Sequence, residues 1–245
     1  MHLRLPKPLH GWRAFIGEVG VVVLGVLLAL GAGQLAEAVQ WRHEVHQATE
    51  LLRTEVAEQY GTATEVVIAA PCIDRQLQAL ESRLSGPVGR FAPAPSYPGT
   101  LGEFTVRVPN RVWSDDVWRS VVTEGVASHL PDDLRLRLGE HYSQVAFMRD
   151  DTRSTDLTAW RLRALAREIQ PDAATRTTMI AEIEEARGRF AEMAFVGNEI
   201  IGLVEDMQFA PPENEVSRRL SGSATLGFCR EHGLPLGKVE AKHGL

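Results

Sequence analysis

The sequence predicts an all-α protein carried on one membrane-crossing helix, and three observations support that prediction. Residues 15–33 form a 19-residue apolar run whose sole charge is Glu18. Past it, apolar residues recur at three- and four-residue spacing, the period of a helix with one buried face. Near the end, a strict 4-3-4-3 pattern from Met179 to Met207 marks a long helix packed side by side with another. The whole chain has 245 residues, 44% of them apolar and 24% charged. That composition excludes a mainly disordered, collagen-like or disulfide-dense small protein. A net charge of −6 leaves no basic footprint for nucleic acid.

At about 1.5 Å per residue the apolar run spans roughly 28 Å, the thickness of a bilayer's hydrocarbon core. A transmembrane helix is expected over 14–34. A cleaved signal peptide is the competing reading, since Gly31 and Gly33 are small enough for a cleavage site. The run is too long for a signal core, however, and helical periodicity continues past Gly33. Arg4, Lys7 and Arg13 precede the span with no acidic residue before Glu18, so the basic-side rule puts residues 1–13 in the cytoplasm. In a Gram-negative host the bulk would then lie in the periplasm, anchored in the inner membrane.

Gly17, Gly25, Ala29 and Gly33 fall on one helical line, with Val21 in the gap. Small residues at that spacing let two backbones approach in lipid, so the line is a candidate self-association face. Glu18 lies one turn inside the cytoplasmic interface and is read as an interfacial or assembly residue, because a single span cannot line an ion path.

The exterior domain is expected over 35–210. Ala38, Trp41, Val45, Ala48, Leu52, Val56, Tyr60, Ala63 and Val67 form one seam, which Pro71 should kink or end. Ile73, Leu77, Leu80 and Leu84 mark a shorter helix. Residues 85–112 hold five prolines and four glycines and predict a long irregular loop, with a short strand at 104–108. Ser114, followed by Asp115 and Asp116, is a helix start, and Gly125 a stop. Pro131, Asp132 and Asp133 open a helix buried through Leu134, Leu138, Tyr142 and Val145. Asp150 and Asp151 read as a turn, with a further helix over 155–169 ended by Pro171. The last helix should stop at Pro211 and Pro212, leaving 211–245 as a polar, Gly-rich tail.

Chemistry-bearing patterns are sparse. His43, Glu44 and His46 lack the i, i+4 histidines of a zinc-protease helix, so His43, His46 and Glu50 read as a solvated face. Cys229 and His232 form a lone C-x-x-H without a second half. No nucleophile elbow, phosphate loop, dinucleotide fingerprint or di-metal pattern occurs, so no catalytic residue, cofactor or metal is expected. Trp41, Trp113, Trp118 and Trp160 read as core fillers.

Gly17-Glu18-Val19, the run from Val22 to Leu30, Glu37 and Trp41-Arg42 together resemble the opening of a widespread group of uncharacterised bacterial single-pass membrane proteins. That group begins G-E-(I/V)-x3-(V/I)-(L/I)-G-(I/V)-L-(I/L)-A-L. Trp118, Glu124-Gly125, Leu134, Leu138 and His141-Tyr142 are similar to its helical segment, with Glu124 in place of a serine or threonine and His141 in place of a tyrosine. The resemblance implies an envelope location and a helical exterior domain, and it implies no activity.

The expected function is a membrane-anchored, self-associating structural or assembly protein of the bacterial envelope, partnered by the bilayer, by copies of itself and by another envelope protein. The alternative is a ligand- or partner-binding module of sensory type, acting through a second protein because about 14 residues precede the span. A hydrolase would find its only support in the 85–112 loop. Cys72 and Cys229 both fall on the outer side, where thiols tend to pair. If the last helix returned toward the membrane, the tail would need nearly its full reach to join Cys229 to Cys72. An intramolecular bond therefore predicts a last helix that ends far from the membrane.

Overall fold

The computed structural model describes residues 12–86, 91–99 and 102–239. The basic N-terminal residues Arg4 and Lys7, the side chain of Arg13, and Pro87 and Gly89 of the loop lie outside the described residues. The described chain is all-α, with six α-helices and no strand. It divides into two units at the boundary between Thr49 and Glu50.

Helix α1 is Trp12–Leu84. In the first unit its large apolar side chains from residue 15 to residue 30 are all exposed. It is long and apolar enough there to cross a membrane. Exposure of such a surface has an enormous hydrophobic cost in water and none in hydrocarbon.

In the second unit, the remainder of α1 packs with α3 (Asp132–Leu162) and α4 (Ala173–Asp206). Arg176 donates to the Leu84 carbonyl, Arg187 pairs with Asp74 and Glu81, and Tyr60 donates to Glu205. Partner numbers fall along α1 as they rise along α4, so these two helices are antiparallel. Arg137–Asp206, Asp151–Arg189 and Arg161–Glu182 show the same for α3 and α4. Thus α1 and α3 run parallel. Parallel neighbours need a crossover that returns along their length, and the long 85–115 excursion is that crossover. It leaves the end of α1 and delivers α2 (Asp116–Thr123) beside Glu55.

The core is built from the faces that the period marks. Leu52, Val56, Ala63, Ile73 and Leu77 of α1 are buried against Leu138, Val145 and Met148 of α3 and Ile183, Phe190, Ile200 and Val204 of α4. Gly197 has a specific duty here, because a Cβ on it would lie 2.9 Å from Val67 Cγ2 and 3.4 Å from the Ala63 carbonyl oxygen. Its lack of a side chain lets α4 approach α1 closely. From Leu52 onward the first seam therefore faces the seam of α4 within one chain.

Four expectations are corrected. Pro71 does not end α1, which continues to Leu84. Asp150 and Asp151 form no turn: α3 runs through them, and Asp151 is buried in an ion pair with Arg189 at 2.7 Å. The expected strand at 104–108 is a single antiparallel bridge between Tyr97 and Phe104. The tail is not featureless: it carries α5 (Glu213–Ser221) and α6 (Ala224–Glu231), and Ser223 caps α6 by accepting from the Leu226 N–H.

Candidate functional site

The sequence-selected residues fall in two places. Gly17, Glu18, Gly25, Ala29 and Gly33 sit on the exposed part of α1, and a Cβ on Gly17, Gly25 or Gly33 would meet nothing within 4 Å. Cys72 and Cys229 are joined by a disulfide within the chain, fully buried, across 157 positions of sequence.

The route to that bond differs from the expectation. Helix α4 runs back along α1 and ends beside Arg53, whose guanidinium donates to the Gln208 carbonyl at 2.8 Å. The tail then retraces α1. Arg219 lies over Gly61, Ser223 donates to Glu65 at 2.6 Å, and Gly237 donates to Ile68. From Arg53 to Cys72 is roughly 28 Å of helix, a span the tail covers easily even with two helices in it. A returning last helix and an intramolecular bond are therefore compatible, and the linkage drawn between them from chain reach fails.

Around the disulfide gathers an aromatic cluster. His232 stacks on Phe228 at 4.1 Å, and Tyr97 meets Phe228 edge-on at 4.8 Å. Phe104 meets the same ring at 5.6 Å. Being disulfide-bonded, Cys229 offers no thiolate, so the C-x-x-H pair with His232 holds no metal. Beside the cluster lies a cleft of about 650 Å³, lined by the last turns of α1 with Tyr97, Thr105, Phe228 and His232. Its polar side chains are mostly engaged already. Gln76 bonds the Arg107 backbone, Glu81 pairs with Arg187, and Arg83 reaches the Pro93 carbonyl.

A second cleft, of about 510 Å³, lies between the other side of the excursion and α3. Its wall is a hairpin closed by the Tyr97–Phe104 bridge, with Gly102 at φ +97°. At that φ a side chain is strained, and a Cβ would also come within 3.0 Å of an Arg163 nitrogen. The glycine thus lets Arg163 bond the Glu103 carbonyl while its guanidinium sits 4.0 Å over the Trp160 ring. On the facing wall Arg107 lies 4.9 Å over Phe104. Arg107 Nε is buried and has no hydrogen-bond acceptor. Asp156 projects from α3 into this cleft, and its carboxylate has no ion pair or hydrogen bond among the described residues. Partial burial holds it above the usual carboxylate range. Val106, Val108 and Ala159 complete the lining.

A third polar group is spent on architecture. Glu55 accepts from Tyr142 Oη at 2.6 Å, from Ser114 Oγ at 3.1 Å and from the N–H of Val117 at 3.2 Å. A carboxylate at the start of α2 matches the unsatisfied amides and positive dipole end there. Gln59 links Ser114 to the buried His141. Arg149 grips Asp115 through two hydrogen bonds and holds its carboxyl below the usual range.

Among the described residues no group of three His, Cys, Asp or Glu side chains is arranged to hold a metal ion. His43 pairs with the Gln47 amide at 2.9 Å. Sequence reasoning missed Asp156 altogether and misplaced Trp160. Trp113 is buried and Trp118 stacks on Tyr142, but Trp160 is half exposed at the cleft. The residues that make the cleft polar are scattered over the excursion and α3, so no local spacing announces them. Compared with protein-family models, curated proteins and solved structures, the chain has no match.

Proposed function

We propose that this chain is a single-pass bacterial inner-membrane protein that displays a disulfide-locked helical binding domain in the periplasm, with the cleft beside Asp156 as its binding site. The observation that carries the binding reading is the unpaired Asp156 carboxylate in a cleft edged by Trp160 and Phe104. A partly desolvated charge with no partner is costly unless something bound compensates it. The aromatic cleft beside the disulfide has fewer unspent groups and ranks second.

The exposed apolar helix supports the anchor, Arg4, Lys7 and Arg13 support a cytoplasmic N-terminus, and the Cys72–Cys229 bond supports an oxidising compartment for the rest. The resemblance to single-pass envelope proteins points the same way. An enzyme is not part of the reading, because the cleft pairs no nucleophile with a base. Protease added to spheroplasts should degrade the domain after residue 34, and the protein should stay in the membrane pellet after carbonate extraction. A domain protected in intact spheroplasts would reverse the topology. For binding, polar small molecules should raise the unfolding temperature of the full chain in detergent, and Trp160→Ala should abolish the shift. A broad set of them without effect would remove the binding reading.

A second reading, self-association of the anchor, is favoured by the open space over Gly17, Gly25 and Gly33. From Leu52 onward the first seam is buried against α4 within one chain, so that association is assigned to the membrane-proximal part of α1. Crosslinking in native membranes should give a homo-oligomer that Gly25→Ile weakens, and monomer alone would exclude it.

A further inference from the structure

We propose that the cleft between the Tyr97–Phe104 hairpin and α3 binds a small zwitterion of the amino-acid class, with its ammonium on Asp156 and its carboxylate on Arg107. The inference rests on the binding reading given above and names its ligand.

Two unspent groups of opposite sign define the chemistry. Asp156 presents a carboxylate with no hydrogen bond or ion pair among the described residues. Arg107 lines the same cleft with the face of its guanidinium packed on Phe104, and no acidic side chain pairs with it among the described residues. Both line one cleft, yet they form no salt bridge with each other, so each charge remains available. The other cation of the cleft, Arg163, is occupied by the Glu103 carbonyl and the Trp160 face. A molecule bearing both charges compensates both groups at once.

Single-charge ligands do less. A simple amine would neutralise Asp156 and leave the Arg107 guanidinium uncompensated, and a simple carboxylate would do the reverse. A neutral sugar would give hydrogen bonds to both without compensating either charge. Val106, Val108 and Ala159 give the cleft an apolar lining beside the pair, and such a lining strengthens charge complementarity. Burial already raises the Asp156 carboxyl above its usual range, and a bound ammonium would offset that cost. A cleft of about 510 Å³ leaves room for a sizeable side chain beyond the backbone groups, against the rings of Phe104 and Trp160.

The test uses the full chain in detergent micelles, with thermal unfolding and calorimetry as readouts. The probes are the common L-amino acids, the N-acetyl and methyl-ester derivatives of those that bind, choline and glucose. At least one free amino acid should bind, and blocking either its amine or its carboxylate should weaken binding about tenfold or more, the scale of one charge-assisted hydrogen bond. Asp156→Asn should weaken the free amino acid equally and erase discrimination against its N-acetyl derivative. Because Asp156 has no partner to lose and its desolvated charge is costly, that variant should unfold at the same temperature or a higher one without ligand. Arg107→Met should erase discrimination against the ester. Binding of glucose or choline with free amino acids inactive would overturn the ligand class and leave the cleft a binding site. No response to any probe overturns both, and equal binding of blocked and free amino acids overturns the charge pairing.

Discussion

Gly237 lies directly on the backbone that Pro71 disturbs. Its N–H donates to the Ile68 carbonyl at 2.9 Å, and a Cβ on it would sit 2.8 Å from the Val67 carbonyl oxygen and 3.3 Å from Pro71 Cδ. Proline inside a helix removes one N–H and crowds the carbonyl four residues earlier, here that of Val67. The tail covers this weak point of α1 with the one residue type that fits. Gly237→Val should therefore lower the stability of the domain by about 1–3 kcal/mol, the cost of overpacking. Thermal unfolding of the variant against the parent measures it, and an unchanged midpoint would show that the tail does not bear on α1.

The bond between Cys72 and Cys229 closes a loop of more than half the chain. In the chain-entropy treatment a loop of this length stabilises the folded state by about 5 kcal/mol, and native disulfides commonly give ~2–5 kcal/mol when removed. Replacing both cysteines with serine should cost stability within that range and expose the tail to protease between α4 and α6. Peptide mapping without reductant should recover a Cys72–Cys229 peptide. Two freely alkylated thiols in protein taken directly from the envelope would remove the bond.

Much of this fold is written in periodicity. The 4-3-4-3 spacing of Ile183, Ala186, Phe190, Met193, Gly197, Ile200 and Val204 names the buried face of α4 residue by residue, because one stripe per helix is all that a bundle demands. The same signal misleads at Asp150 and Asp151. Two carboxylates read locally as a turn, and a distant arginine, Arg189, keeps Asp151 helical and buried. Pro71 fails as a stop for a similar reason, since tertiary packing on both sides of it holds α1 together. The direction of α4 and the return of the tail depend on contacts between residues more than 100 positions apart, such as Arg187 with Asp74, which no local pattern records. The cleft is illegible for the same cause: Asp156 looks like any surface aspartate until Phe104 and Arg107 are brought opposite it.

Gly197 and Val67 offer a direct measure of how tightly α1 and α4 pack. Alanine at Gly197 gains about 1 kcal/mol in helix propensity and meets Val67 Cγ2 at 2.9 Å. Overpacking of about 1–3 kcal/mol should outweigh that gain. Combining Gly197→Ala with Val67→Ala should cost less than the two single changes added together, by at least ~0.5 kcal/mol, because the second removes the methyl that the first strikes. Strict additivity in denaturation midpoints would mean that the helices separate enough to accommodate the methyl.

His141 makes the stability of the domain depend on pH. It is fully buried, with Nε2 2.5 Å from Gln59 Oε1, and burial pushes its pKa down to about 4. Gln59 spends its amide nitrogen on the Ser114 carbonyl, so its oxygen faces the ring and Nε2 carries the proton. The bare Nδ1 is buried without a partner. The unfolded chain, with a histidine pKa of about 6.5, binds the proton more tightly than the folded one. Stability from this group is therefore fully present above pH ~6.5 and falls as the pH drops toward ~4, by about 3 kcal/mol in all. Asp115, held low by Arg149, begins to lose its contribution as the pH enters the ordinary carboxylate range and has lost it all below its own lowered pKa. Asp156, raised by burial, works in the opposite sense, because its protonation favours the folded state; an Asp156→Asn background removes that contribution. In that background, unfolding midpoints should decline between pH 6.5 and 4.5, and His141→Gln should flatten the decline whatever its own starting stability. A slope unchanged by the substitution would place the acid sensitivity elsewhere than His141.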